Sequence, residues 1–276
     1  MSAPNKAAFR YYGGKWHMAK WIIAKFKEHR VYVEPFGGAA SVLMQKPRSY
    51  SEVYNDLDTT VVTFFRLLRD PIKLEQLKAQ LRNTPYARAE WQAAAHSEQE
   101  QEQDIELVRK FIVAQTMSFQ PRGIEGINAS TGFRSDPKRA YSTPAQLWVE
   151  YPDYLEIIAE RFRGVLIENT DAFELIARWA AEPDFLWYLD PPYMQSLRYK
   201  PEDNTYGHEL TEAQHEQLVA ACLTIKGQCI LSCYDAPAYQ PLTDAGWTKE
   251  LRAHRNNSFK TDKIECLYVN DQHRVS

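Results

Sequence analysis

The chain lacks several features that define whole protein classes. It has only four cysteines in 276 residues: Cys222, Cys229, Cys233 and Cys266. None forms a CxxC, and no histidine follows at zinc-finger spacing, so neither a metal site nor a disulfide framework is expected. All four sit in apolar segments (AACLTI, QCILSC, IECLYV), which reads as buried, reduced thiols in a cytoplasmic protein. No apolar run approaches the ~20 residues of a membrane span. The opening MSAPNKAAFRYYGGK has no signal-peptide core. Internal repeats and glycine- or serine-rich linkers are missing too. Charge of one sign is also scarce: 33 basic against 36 acidic residues leave a net −3. Any nucleic-acid surface must therefore be a local basic patch.

What is present is ordinary globular material, with 44% hydrophobic residues. A chain of this length buries roughly three quarters of its extended surface, as one large domain or two smaller ones. Strand and helix signals alternate at both ends. Met18, Trp21, Ile22 and Phe26 fall near helical spacing. VYVE (31–34) reads as a strand ending in the break PFGG, with a helix expected from Ala39. SEVYN (51–55) is a second strand. GVLIEN (164–169), FLWYL (185–189) and QCILSC (228–233) follow as strands, the last two apolar enough to be buried on both faces. FELIARW (173–179) reads as a helix, and Thr211 opens another with a T-x-x-Q capping box. WTKEL and IECLYV look like a terminal hairpin.

The middle differs. Two helical stretches between Thr60 and Leu81 split before Pro71, a polar run follows, and a helix is expected around Ile105–Gln115. SFQPRGIEGINASTGFRSDPKR (118–139) reads as a hairpin or long loop. The expected fold is therefore α/β, a doubly wound sheet interrupted by a second, mainly helical module. The expected division is 1–58 with 160–276 as one domain and 59–159 as the insert.

Four segments carry chemistry. Asp190-Pro191-Pro192-Tyr193 follows FLWYL directly, at the sheet edge where open α/β folds bind ligands. The prolines remove two N–H donors and stiffen the turn. Asp190 and the Pro191 carbonyl then offer acceptors to an amino group, beside the flat ring of Tyr193. Taken alone, the tetrapeptide also fits a simple stiff turn. Pro35-Phe36-Gly37-Gly38 allows close backbone approach at a strand end. Asp56, in NDLD (55–58), stands where a ribose is commonly held, and Asp58 is placed to cap a helix. Tyr11, with Lys15 on the glycine turn of YYGGK, suits a carboxylate or phosphate. Together they describe a nucleoside with a charged tail facing an amine-bearing base.

These residues resemble the DNA adenine-N6 methyltransferases of the alpha group. The resemblance rests on YYGGK (11–15), EPFGG (34–38), NDLD (55–58), NTDAF (169–173), DPPY (190–193) and KIECLYVN (263–270). It departs at Ala39-Ala40, where a further glycine is frequent. The resemblance implies a Rossmann-like methyltransferase sheet with an inserted target-recognition domain, and S-adenosylmethionine as cofactor. It implies that Tyr11 and Lys15 hold the methionine end and that Pro35, Phe36, Gly37 and Gly38 line the pocket. Asp56 would bind the ribose, Asp171 and Phe173 would flank the cofactor adenine, and Asp190 would border the cofactor. It further implies that Asp190, Pro191, Pro192 and Tyr193 receive a flipped adenine of double-stranded DNA. Related cytosine-N4 enzymes usually carry Ser in place of Asp190, and glutamine-modifying enzymes Asn.

For holding DNA, residues 109–139 contain six basic residues against Glu125 and Asp136, net +4. Within them Arg122, Asn128, Thr131, Arg134, Lys138 and Arg139 are the candidate contacts, since Arg reads guanine and Asn adenine. Arg198 and Lys200, on a loop expected to close over substrate, are candidate phosphate contacts. A second basic patch comprises Lys249, Arg252, Arg255, Lys260 and Lys263, and Tyr234 is a candidate border of the target pocket. A monomer or weak dimer is expected. RNA adenine methylation and a non-catalytic DNA-binding module remain the alternatives.

Overall fold

The computed structural model describes residues 3–95, 103–119, 132–138, 141–194, 209–256 and 261–270. Seven strands form one sheet: β1 (Val31–Glu34), β2 (Ser51–Asn55), β3 (Val165–Glu168), β4 (Phe185–Leu189), β5 (Gln228–Cys233), β6 (Thr248–Asn256) and β7 (Thr261–Val269). Their spatial order is β3-β2-β1-β4-β5-β7-β6. The first five run parallel, and β7 enters antiparallel between β5 and β6. The expected terminal hairpin is thus observed, and the architecture is consistent with a methyltransferase fold.

Side chains alternate across the strands, and this period of two builds two cores. Tyr32, Tyr54, Leu186, Tyr188, Ile230 and Leu267 point to one face. Val33, Val53, Trp187, Leu189, Leu231 and Tyr268 point to the other. The first face is covered by α1 (Ala19–Ile23), α2 (Thr59–Leu67), α5 (Asp104–Met117) and α6 (Pro144–Arg161), with α3 (Pro71–Asn83) and α4 (Arg88–Ala95) joined to the same apolar cluster. The second is covered by α7 (Ala172–Trp179), α8 (Glu212–Thr224) and α9 (Gln240–Asp244). The central helices therefore share a continuous core with the sheet. Phe65 stacks on Phe162 at 4.0 Å and meets Tyr54 of β2 at 4.8 Å.

The helix starts follow the local sequence. Asp58 caps α2 by accepting from the Thr60 and Val61 N–H groups. Thr211 and Gln214 form the expected capping box of α8. The helix expected from Ala39 is not formed, and successive turns occupy 38–45 instead. The reason is backbone: Gly38 and Ala40 have φ of 46° and 53°, outside the right-handed helical region. For Ala40 that conformation costs about 1–2 kcal/mol, and burial of its methyl returns about 0.8 kcal/mol.

The glycine pair after β1 has two separate causes. At Gly38 it is the positive φ. At Gly37 it is space: a Cβ there would lie 2.0 Å from Cε2 of Tyr54. That ring cannot retreat, since Phe65 and Phe162 pack against it and its hydroxyl donates to the Gly38 carbonyl at 2.7 Å. Gly37→Ala is expected to destabilise the fold by about 1–3 kcal/mol. Urea unfolding reads this as a lowered midpoint; an unchanged midpoint contradicts it.

Candidate active site

The parallel strands β1 to β4 end at one edge, and the chain reverses its winding between β1 and β4, which is where such sheets leave a crevice. A cleft lies there, enclosing about 960 Å³ of non-protein space with the solvent at its mouth included. Its walls come from the loops after these four strands and from residues 11–15. Of the expected cofactor residues, Tyr11, Lys15, Pro35, Phe36, Gly37, Gly38, Asp56, Asp171, Phe173 and Asp190 all line it. Pro192 lines it as well, whereas Pro191 and Tyr193 are not among the lining residues.

Asn55, the last residue of β2, ties the loops together. Its amide donates to the carbonyls of Pro35 (2.8 Å) and Thr170 (3.0 Å), and its oxygen accepts from the Thr170 N–H. Its own carbonyl accepts from Gly37. Asp56 accepts from the Gly38 N–H at 2.7 Å and from the Asp58 N–H at 2.9 Å. Its carboxylate lines the cleft as an acceptor. Asp171 caps α7 by accepting from Phe173 at 2.7 Å, which orients both residues at the cleft.

Lys15 is 6% exposed, and its ammonium lies 2.9 Å from Asp190 Oδ1 and 3.5 Å from Glu265 Oε1. It also donates to the Gly13 carbonyl and sits 4.7 Å above the Tyr193 ring. Burial opposes its charge, but the two carboxylates outweigh that and raise its pKa. Its expected role toward an anionic tail is therefore shared with a role toward Asp190. The Asp190 carboxyl is raised to about 6, chiefly by burial; Lys15 opposes the rise and Glu265 adds to it. Tyr193 is 6% exposed. Its hydroxyl donates to Glu265 and lies 3.2 Å from Ser232 Oγ, and its ring meets Tyr234 edge-on at 4.4 Å.

Glu34, Asn55 and Glu265 lie within EPFGG, NDLD and KIECLYVN without a role of their own in the sequence analysis, and Ser41 and Ser232 have none there either. Two had a readable signal: Glu34 closes the buried strand VYVE, and Glu265 interrupts the apolar IECLYV. Buried acids in such runs need partners.

The expected DNA contacts separate into two sets. Arg122, Asn128, Thr131, Arg139, Arg198 and Lys200 lie outside the described residues. Arg134 and Lys138 are described. Arg134 is half-buried, its N–H donating to the Met117 carbonyl, and Lys138 is exposed. Arg109 is paired with Glu106 at 2.6 Å and Glu90 at 3.5 Å, so it adds little to the +4 patch. In the second patch Lys249 is paired with Asp235 at 2.7 Å, and Arg252 lies over the Trp21 ring. Among the described residues there is no cluster of potential metal ligands, and no helix is long and apolar enough to cross a membrane.

Glu34 is 2% exposed and accepts from the Tyr32 hydroxyl at 2.8 Å and the Leu43 N–H at 3.2 Å. Burial raises its pKa to about 8, with Asp190 adding to the rise. A carboxyl raised on folding favours the fold when protonated. That contribution is complete below the unfolded value and is lost as pH rises through about 8. Glu34→Gln is expected to flatten the decline of stability between pH 6 and 8, followed by urea unfolding. Equal pH slopes in both proteins contradict this.

A search of curated proteins found no match. A family model of D12 class N6 adenine-specific DNA methyltransferases matches residues 11–258. Methyl transfer in that family implies S-adenosylmethionine as donor and DNA as substrate. The match takes in every residue that lines the cleft, and the chain belongs to the D12 class N6 adenine-specific DNA methyltransferase family.

Proposed function

We propose that the cleft holds S-adenosylmethionine and that Asp190, with the Pro191 carbonyl, grips the N6 amine of an adenine flipped out of double-stranded DNA. The observation that carries this is the meeting of four strand-end loops and residues 11–15 around one cleft with Asp190 in its wall. The residues fit the donor. Ser41 Oγ is buried at the cleft without a hydrogen-bond partner among the described residues, as a site awaiting a polar ligand requires. Asp56 suits ribose hydroxyls, and Phe173 with Asp171 suits a purine carrying an amine. Tyr11, Pro35, Phe36, Gly37 and Gly38 supply the remaining wall, and Lys15 the positive charge. When bound, the donor supplies a methyl group on a sulfonium sulfur.

The chain's own work is on the amine. N6 is a poor nucleophile because its lone pair is delocalised into the purine ring. Acceptors at Asp190 and Pro191 draw on its hydrogens and favour a more tetrahedral nitrogen. Pro192 stiffens the turn that holds these acceptors, and Tyr193 offers its ring to the base. Flipping costs a few kcal/mol, offset by stacking and by hydrogen bonds to the base. Holding both partners in line supplies most of the acceleration. Residues 59–159 serve as the target-recognition domain, with Arg122, Asn128, Thr131, Arg134, Lys138 and Arg139 on DNA and Arg198 and Lys200 on phosphate. The protein acts as a monomer or weak dimer.

Asp190→Ala is expected to abolish methyl transfer to DNA while leaving the fold intact by circular dichroism. Normal turnover by that variant rejects the assignment. The wild-type acid limb follows from the same group. The ionised carboxylate is the stronger acceptor, so kcat/KM should fall about tenfold per pH unit below about 6. A rate that is flat from pH 7 to 5 contradicts this.

A further inference from the structure

A single carboxylate oxygen gathers three donors behind the cleft. Glu265 Oε1, on β7, accepts from the Tyr193 hydroxyl and from Ser232 Oγ at 2.9 Å, and lies 3.5 Å from the Lys15 ammonium. Glu265 is 5% exposed, does not line the cleft, and stands beyond the family match that ends at residue 258. A buried acid in an otherwise apolar strand is costly, and among the described residues its side chain meets the DPPY turn, its neighbour strand β5 and Lys15.

We infer that Glu265 is a positioning residue for methyl transfer: it anchors the Tyr193 ring through its hydroxyl and holds the Lys15 ammonium partly away from Asp190. The inference rests on the reading of Asp190 as the amine acceptor. The physical logic is competition. Lys15 bridges the two carboxylates, nearer Asp190 than Glu265. With the Glu265 charge gone, the ammonium turns wholly to Asp190 and competes with the substrate amine for its lone pairs. Tyr193 loses its acceptor at the same time and its ring is freed to tilt. Misplacement on this scale costs about 10²-fold in rate.

The pH profile separates this from simple packing. Asp190 faces Lys15 from the N-terminal segment, Glu34 from β1, Glu265 from β7, and the tyrosines Tyr188 and Tyr193 of its own segment. Glu265 is the carboxylate among them that also holds Lys15. Removing its charge lowers the Asp190 pKa twice over, by deleting a like charge and by tightening the Lys15 pair.

The test compares full-length wild type, Glu265→Gln and Glu265→Asp for DNA methylation across pH, with calorimetric binding of S-adenosylmethionine. Expected for Glu265→Gln are a kcat lower by about 10²-fold, cofactor affinity within a few-fold of wild type, and an acid limb moved to lower pH. Glu265→Asp keeps the charge, so its acid limb stays at the wild-type position while kcat falls. Wild-type kcat, or an unmoved acid limb in a folded Glu265→Gln, overturns the inference. If Glu265→Gln does not fold, Glu265→Asp decides: wild-type kcat in it overturns the inference. Failure of the Asp190 reading is distinct, because it shows in the wild type as a missing acid limb and in Asp190→Ala as retained activity.

Discussion

The site depends on one buried cation. Lys15 stands between Asp190 and Glu265 and links the N-terminal segment to the loop after β4 and to β7. Two carboxylates buried this close repel, and burial penalises each charge further. Breaking a buried pair by deleting one partner costs about 3–5 kcal/mol. Lys15 lets Asp190 remain an anion at neutral pH, while burial keeps the carboxyl only moderately acidic, at about 6. An acceptor in that range is ionised in use but not so strongly paired that an incoming amine is shut out.

That electrostatic arrangement needs the sheet. Parallel pairing of β1 with β2 and β4 brings the ends of non-adjacent segments to one edge. Asn55 then fixes the loops after β1 and β3 to β2 through backbone carbonyls. The ring of Tyr54 takes the space that a side chain on Gly37 would need, so the wall of the cleft and the aromatic core beneath it are one structure. Fold stability and site geometry are therefore coupled through β2.

Much of this was legible in the sequence, for a physical reason. Apolar runs ending in a break mark buried strands and their loops, and FLWYL before DPPY or VYVE before PFGG carry both signals in consecutive residues. Helix caps at Asp58 and Thr211 are equally local. Contacts across the chain were not legible. Glu265 meets Tyr193 from 72 positions away, and only the insertion of β7 beside β5 makes them neighbours. The sequence predicts a helix from Ala39, but positive φ at Gly38 and Ala40 makes turns there instead. Arg109 counted toward a basic patch, yet Glu106 and Glu90 hold it. Both glycines of the pair line the cleft, and the space that a Cβ on Gly37 would need is filled by Tyr54.

The arrangement is tested most directly by a crystal structure of the protein with a non-reactive analogue of S-adenosylmethionine. The analogue is expected in the cleft, with its ribose at Asp56, its purine beside Phe173 and its sulfur end toward Asp190. An analogue bound outside the cleft, or with its purine against Asp190, contradicts the proposed roles of these residues.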